Sequence, residues 1–311
     1  MDPHRKKILL AIDGSARSYE AVRYISNLFP PQRIQVSLFH VFSRIPEVYY
    51  DMGKEPNSSR EALHVKAWER ALKESIDKFM AEARQLLLDG GIPEDQILLH
   101  IQERKLGIAR DIFMESVHGY GAVVVGRTGM SNYKEFIIGS IANKLVEKIT
   151  HTTVCVVGER PSYGKILVAL DESEGAMRAV DYVGTMFGGS PAEVTLFHVV
   201  RGLNIYERRY EDAFDPKYER EWIDAYEIES VFEEAKMHLV EPGFDPARVT
   251  TKLISGASSR AGAIIKEATE GGYGTIVLGR RGFSNVKEFF MGRVSDKVIH
   301  LARGPAVWVV S

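Results

Sequence analysis

The chain repeats itself, and the repeat is far too long to be a solenoid unit. Residues 7–15, KILLAIDGS, match residues 165–173, KILVALDES, at an offset of 158, and the same offset carries LFHV at 38–41 onto LFHV at 196–199. Further on, GRTGMSNYKEF at 126–136 matches GRRGFSNVKEF at 279–289, with the offset reduced to 153 because the middle of each copy differs in length. A period that holds a complete set of elements predicts two duplicated domains. Their expected limits are residues 1–158 and 165–311, joined by a short stretch with Gly and Pro at 158–164. So tight a join argues for domains that pack together. A length of 311 residues suits two domains of ordinary size.

Within the first copy, apolar runs and amphipathic stretches alternate. Residues 7–13 read as a buried strand ending in a turn signal, and Ser15 is a plausible N-cap for a helix reaching about residue 27. A second strand is predicted at 35–42. A long helix at 59–88 carries Val65, Trp68, Leu72, Ile76, Phe79, Ala83 and Leu86 at three-to-four spacing. Strands are expected at 96–101, 122–125 and 153–157, with helices at 108–117 and 139–150. The second copy repeats the order and closes with a strand at 306–310. Uninterrupted apolar strands alternating with helices predict an α/β fold, a parallel sheet covered on both faces in each copy.

Composition excludes several classes. Residues 1–160 hold 22 Lys/Arg against 20 Asp/Glu, and residues 161–311 hold 18 against 22, so neither half offers the basic excess of a nucleic-acid binder. No apolar stretch reaches the ~18 residues of a membrane span. The N-terminus lacks the apolar core of a signal peptide. The single cysteine, Cys155, rules out an internal disulfide and reads as a buried, inert thiol. A cytoplasmic protein with neither nucleic-acid nor membrane partners is expected.

The chemistry concentrates in one spacing: Gly126-x-x-Gly129, nine residues, then Gly139-Ser140. The first glycine follows a strand and the last pair opens a helix. Glycines can adopt positive φ and let backbone amides approach an anion, and a helix start adds unpaired N–H groups and partial positive charge. Ser140 adds a hydroxyl. The loop lacks the P-loop lysine, and GxxxxGK[ST] occurs nowhere in the chain. A purely structural role, shaping a βα loop and a helix cap, is the alternative. Asp13 ends the first strand. It can accept hydrogen bonds from an adenine amino group or a ribose hydroxyl, or it can cap the next helix with Ser15. In an open α/β sheet ligands bind at the carboxyl ends of the strands where the strand order reverses. If strands one and four flank that crevice, Asp13 and Gly126 face each other across it, and Val41 lies on the base side.

These residues resemble the universal stress protein family, in particular its tandem-domain, ATP-binding branch. The resemblance covers nearly the whole chain. It implies five-stranded sheets in the order 3-2-1-4-5, a bound adenine nucleotide (ATP, ADP or AMP), and pairing of the last strands between copies or between chains. It places Asp13 and Val41 on adenine, and Gly126, Arg127, Gly129, Gly139 and Ser140 around the phosphates. In copy two Asp171, Val199, Gly279, Gly282 and Gly292 hold the matching positions, but Arg293 stands where Ser140 stands in copy one. Arg293 could pair with phosphate, fill the cavity or turn to an acid. Arg280 and Arg281 add positive charge nearby, and Glu172 in place of Gly14 adds negative charge at the same mouth.

No HExxH, CxxC, GxSxG or HRD set accompanies the loop. His40 and His198 read as structural, and Trp68 and Trp222 as packing residues. The aromatics at Tyr49, Tyr50, Tyr206, Tyr210, Phe214 and Tyr218 are expected to cover the nucleotide or to meet a partner. The leading expectation is a protein that binds ATP and changes its interactions with occupancy. A slow Mg²⁺-dependent ATPase, and a scaffold that dimerises through its fifth strands, are the alternatives.

Overall fold

The computed structural model describes residues 6–44, 59–129, 138–159, 161–201, 219–282 and 291–311. The first copy comprises strands β1 (Lys6–Ala11), β2 (Ile34–Phe42), β3 (Ile97–Glu103), β4 (Ala122–Gly126) and β5 (Thr153–Val157), with helices α1 (Ala16–Leu28), α2 (Ser59–Asp89), α3 (Ile108–Ser116) and α4 (Ser140–Lys148). The second comprises β6 (Lys165–Ala169), α5 (Glu174–Phe187), β7 (Glu193–Arg201), α6 (Glu219–Val240), β8 (Val249–Ala257), α7 (Arg260–Glu270), β9 (Thr275–Gly279), α8 (Arg293–Leu301) and β10 (Ala306–Val310). The aromatics at 49, 50, 206, 210, 214 and 218, and the side chain of Trp222, lie outside the described residues.

All ten strands join one sheet in the order β3-β2-β1-β4-β5-β10-β9-β6-β7-β8. Each half runs 3-2-1-4-5, read from its own outer edge, and its strands pair in parallel because helices carry the chain back between them. Among the described residues the one antiparallel ladder is β5 with β10. Two like domains meeting through equivalent edges are related by a twofold operation, which sets the facing strands antiparallel. Each fifth strand would otherwise be an open edge, and here each covers the other.

Two apolar layers sandwich the sheet. Helices α1, α2, α5 and α6 bury residues such as Ile25, Met80, Val183 and Ile228 on one face, while α3, α4, α7 and α8 bury Ile112, Leu145, Ile264 and Val298 on the other. The α2 stripe runs slightly off the predicted line: Ile76, Phe79, Met80, Ala83 and Leu87 reach the core, whereas Leu72 and Leu86 are only partly covered. Helix geometry explains this, since a stripe 3.6 residues apart drifts between three and four.

The seam between the copies is asymmetric where symmetry would fail. Trp308 sits directly opposite Cys155 in the β5–β10 ladder, and both are fully buried. The two residues occupy matching positions of the repeat. Two tryptophans there would collide and two cysteines would leave a void, so one of each fills the space. Trp308 Nε1 donates to the Tyr24 hydroxyl at 2.7 Å, and that hydroxyl pairs with Thr275 Oγ1 at 2.7 Å. Burial pushes the Cys155 thiol well above its ordinary pKa, in keeping with an inert packing role.

Candidate functional site

The strand order reverses between β1 and β4 in one copy and between β6 and β9 in the other, so each sheet half opens a crevice at those carboxyl ends. Asp13 does two things at the rim. Its Oδ1 accepts the Ser15 amide at 3.0 Å, while Ser15 Oγ caps α1 by accepting the Ser18 amide at 3.2 Å. Its other oxygen points across the crevice: a Cβ placed on Gly129 would lie 2.7 Å from Asp13 Oδ2. Asp171 repeats the arrangement, accepting the Ser173 amide at 3.1 Å, with a Gly282 Cβ position 2.6 Å from its Oδ2.

The glycines serve a different purpose from the one their conformational freedom suggests. None of Gly126, Gly129, Gly139, Gly279, Gly282 and Gly292 adopts positive φ. What excludes a side chain is close approach. A Cβ at Gly126 would lie 2.9 Å from the Arg17 carbonyl oxygen, so this glycine lets α1 pass against the end of β4. Gly279 stands in the same way against the Gly175 carbonyl of α5. Thus Gly129, and not Gly126, is the residue that faces Asp13. The Gly139 amide donates to the Arg127 carbonyl at 2.7 Å, and the Gly292 amide to the Arg280 carbonyl at 2.8 Å, which brings each helix start back beside its strand end. Helices α1, α5 and α7 are capped by Ser15, Ser173 and Ser259, whereas α4 and α8 begin with no side-chain cap. Among the described residues no side chain accepts from their first amides, which suits an anion there.

Arg127 is a correction. Its guanidinium does not surround the crevice but crosses the seam, where Nη1 donates to the carbonyls of Ile299 at 2.7 Å and Ala302 at 2.9 Å, and Nη2 to that of His300. Arg280 mirrors it and likewise leaves the crevice. Its Nη1 reaches the Val146 carbonyl at 2.7 Å, Nη2 that of Ile149, and Nε the Ser311 hydroxyl at 3.0 Å. Each arginine therefore closes the carboxyl end of the opposite copy's helix, where unpaired carbonyls and the helix dipole favour a cation. Desolvation lowers both guanidinium pKa values; that of Arg280 falls to about 10, with Arg281 adding to the effect, and its charge persists at neutral pH. Gly158 stands where Ser311 stands in the other copy, and the Arg127 Nε has no partner among the described residues. The backbone at 303–305 passes too close for any side chain there.

In copy two the crevice is a cavity of about 470 Å³, within the range of small-molecule sites. Asp171, Val199, Gly279, Gly282, Gly292 and Arg293 all line it. Arg281 lines it as well, while Glu172 does not. Two further cations went unnoticed in the sequence, Arg260 and Lys297. Arg260 opens α7 where Ile108 opens α3, a difference legible once the helix starts are superposed. Val41 and Val199 are buried near the ends of their strands, and the Val199 carbonyl accepts Arg260 Nε at 3.2 Å.

His40 and His198 act as braces. Nδ1 of His40 lies 2.8 Å from the Ile12 carbonyl, and Nδ1 of His198 lies 2.7 Å from that of Leu170, so each holds the residue just before the rim aspartate. A carbonyl only accepts, which puts the proton on Nδ1. Burial lowers the His40 pKa, partly offset by the Ile12 bond and by Asp13. The native state therefore disfavours the charged ring, and stability is full above the unfolded value of about 6.5 and falls as pH drops below it. Thermal melts between pH 7.5 and 5.5 should show this loss. The non-titrating H40N variant, which keeps a donor near Nδ1, should show a shallower one, and an unchanged slope would count against the assignment.

Comparison with known proteins follows the same division into two copies. The model of the universal stress protein family matches twice, over residues 4–157 and 162–311. Universal stress protein YxiE of Bacillus subtilis is 28% identical over 157 residues, 47% of this chain and 99% of that one. A universal stress protein from Archaeoglobus fulgidus superposes with a TM-score of 0.63 at 18% identity, covering 98% of both chains. A Pseudomonas aeruginosa PAO1 protein described as functionally unknown does so with a TM-score of 0.52 at 15% identity, covering 98% of this chain and 92% of its own. With the family pattern present twice and spanning nearly every residue, the chain belongs to the universal stress protein family.

Proposed function

We propose that the first copy binds an adenine nucleotide, ATP foremost, and that occupancy alters the protein's interactions during a cytoplasmic stress response without dedicated catalysis. The observation that carries this reading is the uncapped start of α4 at Gly139-Ser140, set across a crevice from an aspartate with one oxygen committed to Ser15 and the other turned toward Gly129. Open helix-start amides suit phosphate oxygens. The Ser140 hydroxyl supplements them, since Arg127 is engaged elsewhere. The free oxygen of Asp13 suits an adenine amino or ribose hydroxyl donor, with Val41 on the base side. Membership of the family supports the same reading.

Mass spectrometry of small molecules released on denaturation should find an adenine nucleotide, and titration calorimetry should show ATP binding. Gly129→Val crowds Asp13 Oδ2, the end of a side chain at the rim that can shift without disturbing the core. It should weaken ATP by about tenfold or more, roughly the loss of one good hydrogen bond to a charged group. Protein that holds no nucleotide and gives no ATP heat would sink the proposal.

A further inference from the structure

We propose that the cavity of the second copy takes a polyphosphate chain irrespective of any base attached to it. The inference rests on the crevice being the ligand site, as argued for copy one, and assigns copy two a different class of ligand.

Charge comes first. Among the described residues, Arg260, Arg281, Arg293 and Lys297 line the cavity against a single acid, Asp171. The matching residues of copy one are Ile108, Thr128, Ser140 and Lys144, so three cations stand where copy one has one apolar and two hydroxyl side chains. Arg281, Arg293 and Lys297 are exposed, and no described acid lies within ion-pair distance of them. The one acid in the first turn of α8, Asp296, lies 3.5 Å from His300 Nδ1. A cavity rimmed by uncompensated guanidinium groups concentrates anions, and arginine forks match phosphate oxygens. The uncapped start of α8 adds amides at the same mouth.

The base side has changed in the opposite sense. The Val199 carbonyl, a backbone acceptor for an adenine amino group, already accepts Arg260 Nε at 3.2 Å, so a base would have to share it with that guanidinium. Ile108, which opens α3 in copy one, has no side-chain donor to do the same to Val41. Copy two has thus gained cations around the cavity, while its base-side carbonyl is shared with one of them.

Titration of the full chain with inorganic triphosphate, GTP and ATP tests this, using G129V to weaken copy one and R281T/R293S to write copy one's residues into copy two. Both arginines are exposed, so the fold should survive, and a thermal melt checks it. Inorganic triphosphate and GTP should each bind the wild type and G129V at one site with affinities within about tenfold of each other. R281T/R293S should weaken both by about 30- to 100-fold, at roughly tenfold for each charge-assisted contact, while ATP still binds through copy one. Failure of GTP or triphosphate to bind the wild type, or undiminished binding by R281T/R293S, overturns the proposal. Loss of ATP-selective binding alone, with triphosphate still bound, would count against copy one's assignment and leave this one standing.

Discussion

Trp308→Ala should destabilise the protein by about 3–5 kcal/mol, the range for removing a fully buried large aromatic. Trp308 is completely enclosed, and its ring lies 5.7–6.4 Å from the rings of Tyr24, Phe29, Tyr182 and Phe187, which come from helices, and the turn after one, of both copies. The cavity would open at the β5–β10 ladder itself, next to Cys155, where strands already in register leave little scope for collapse. Trp308→Phe keeps most of the packing but leaves Tyr24 without the indole donor, and should cost clearly less. Urea denaturation of the three proteins provides the comparison. A loss below about 1 kcal/mol for the alanine variant would show that the seam is held mainly by other contacts.

Arg280→Ala should cost about 3 kcal/mol, and Arg127→Ala a similar amount. Each guanidinium makes charge-assisted hydrogen bonds to carbonyls at the end of the opposite copy's helix, and such bonds contribute about 1.5–3 kcal/mol each in mutational series. Truncation strands those carbonyls in a buried seam. Lysine restores the charge but not the fork, so Arg280→Lys should recover only part of the loss. The double variant R127A/R280A should loosen the two copies from each other, measured as faster proteolysis across residues 158–164 and as unfolding in two steps. A single transition at the wild-type midpoint would contradict the role assigned to the pair. The same arginines join each crevice loop, one residue past Gly126 or Gly279, to the helix that begins at the other crevice, so the frame of both sites depends on the seam.

Much of this architecture is legible along the chain because it depends on local pattern. Runs such as 154–157 and 306–310 are apolar throughout, as a doubly covered strand requires, and they fall in β5 and β10. Ser15 caps α1 as its position before an apolar-periodic stretch predicts. The glycine spacing also marks the crevice, but for a reason invisible in one dimension. Gly126 is dictated by the Arg17 carbonyl of a crossing helix, and Gly129 by an aspartate more than a hundred residues earlier. Arg127 shows the limit most clearly. An arginine beside a glycine loop suggests phosphate, yet its neighbours in space are carbonyls at 299–302, and no local property of the sequence reveals them.

The duplicated pattern of apolar runs and helix starts determined that this chain forms two α/β units with a crevice at matching strand ends, because periodicity and capping act over a few residues. Which edges meet was decided only in three dimensions. The family resemblance allows the last strands to pair between copies or between chains, and the fold pairs β5 with β10 within one chain. It does so because a large residue at 308 and a small one at 155 complement each other across a pseudo-twofold seam, and because each copy's arginine closes the other's helix. Complementarity of that kind belongs to surfaces brought together from distant parts of the sequence.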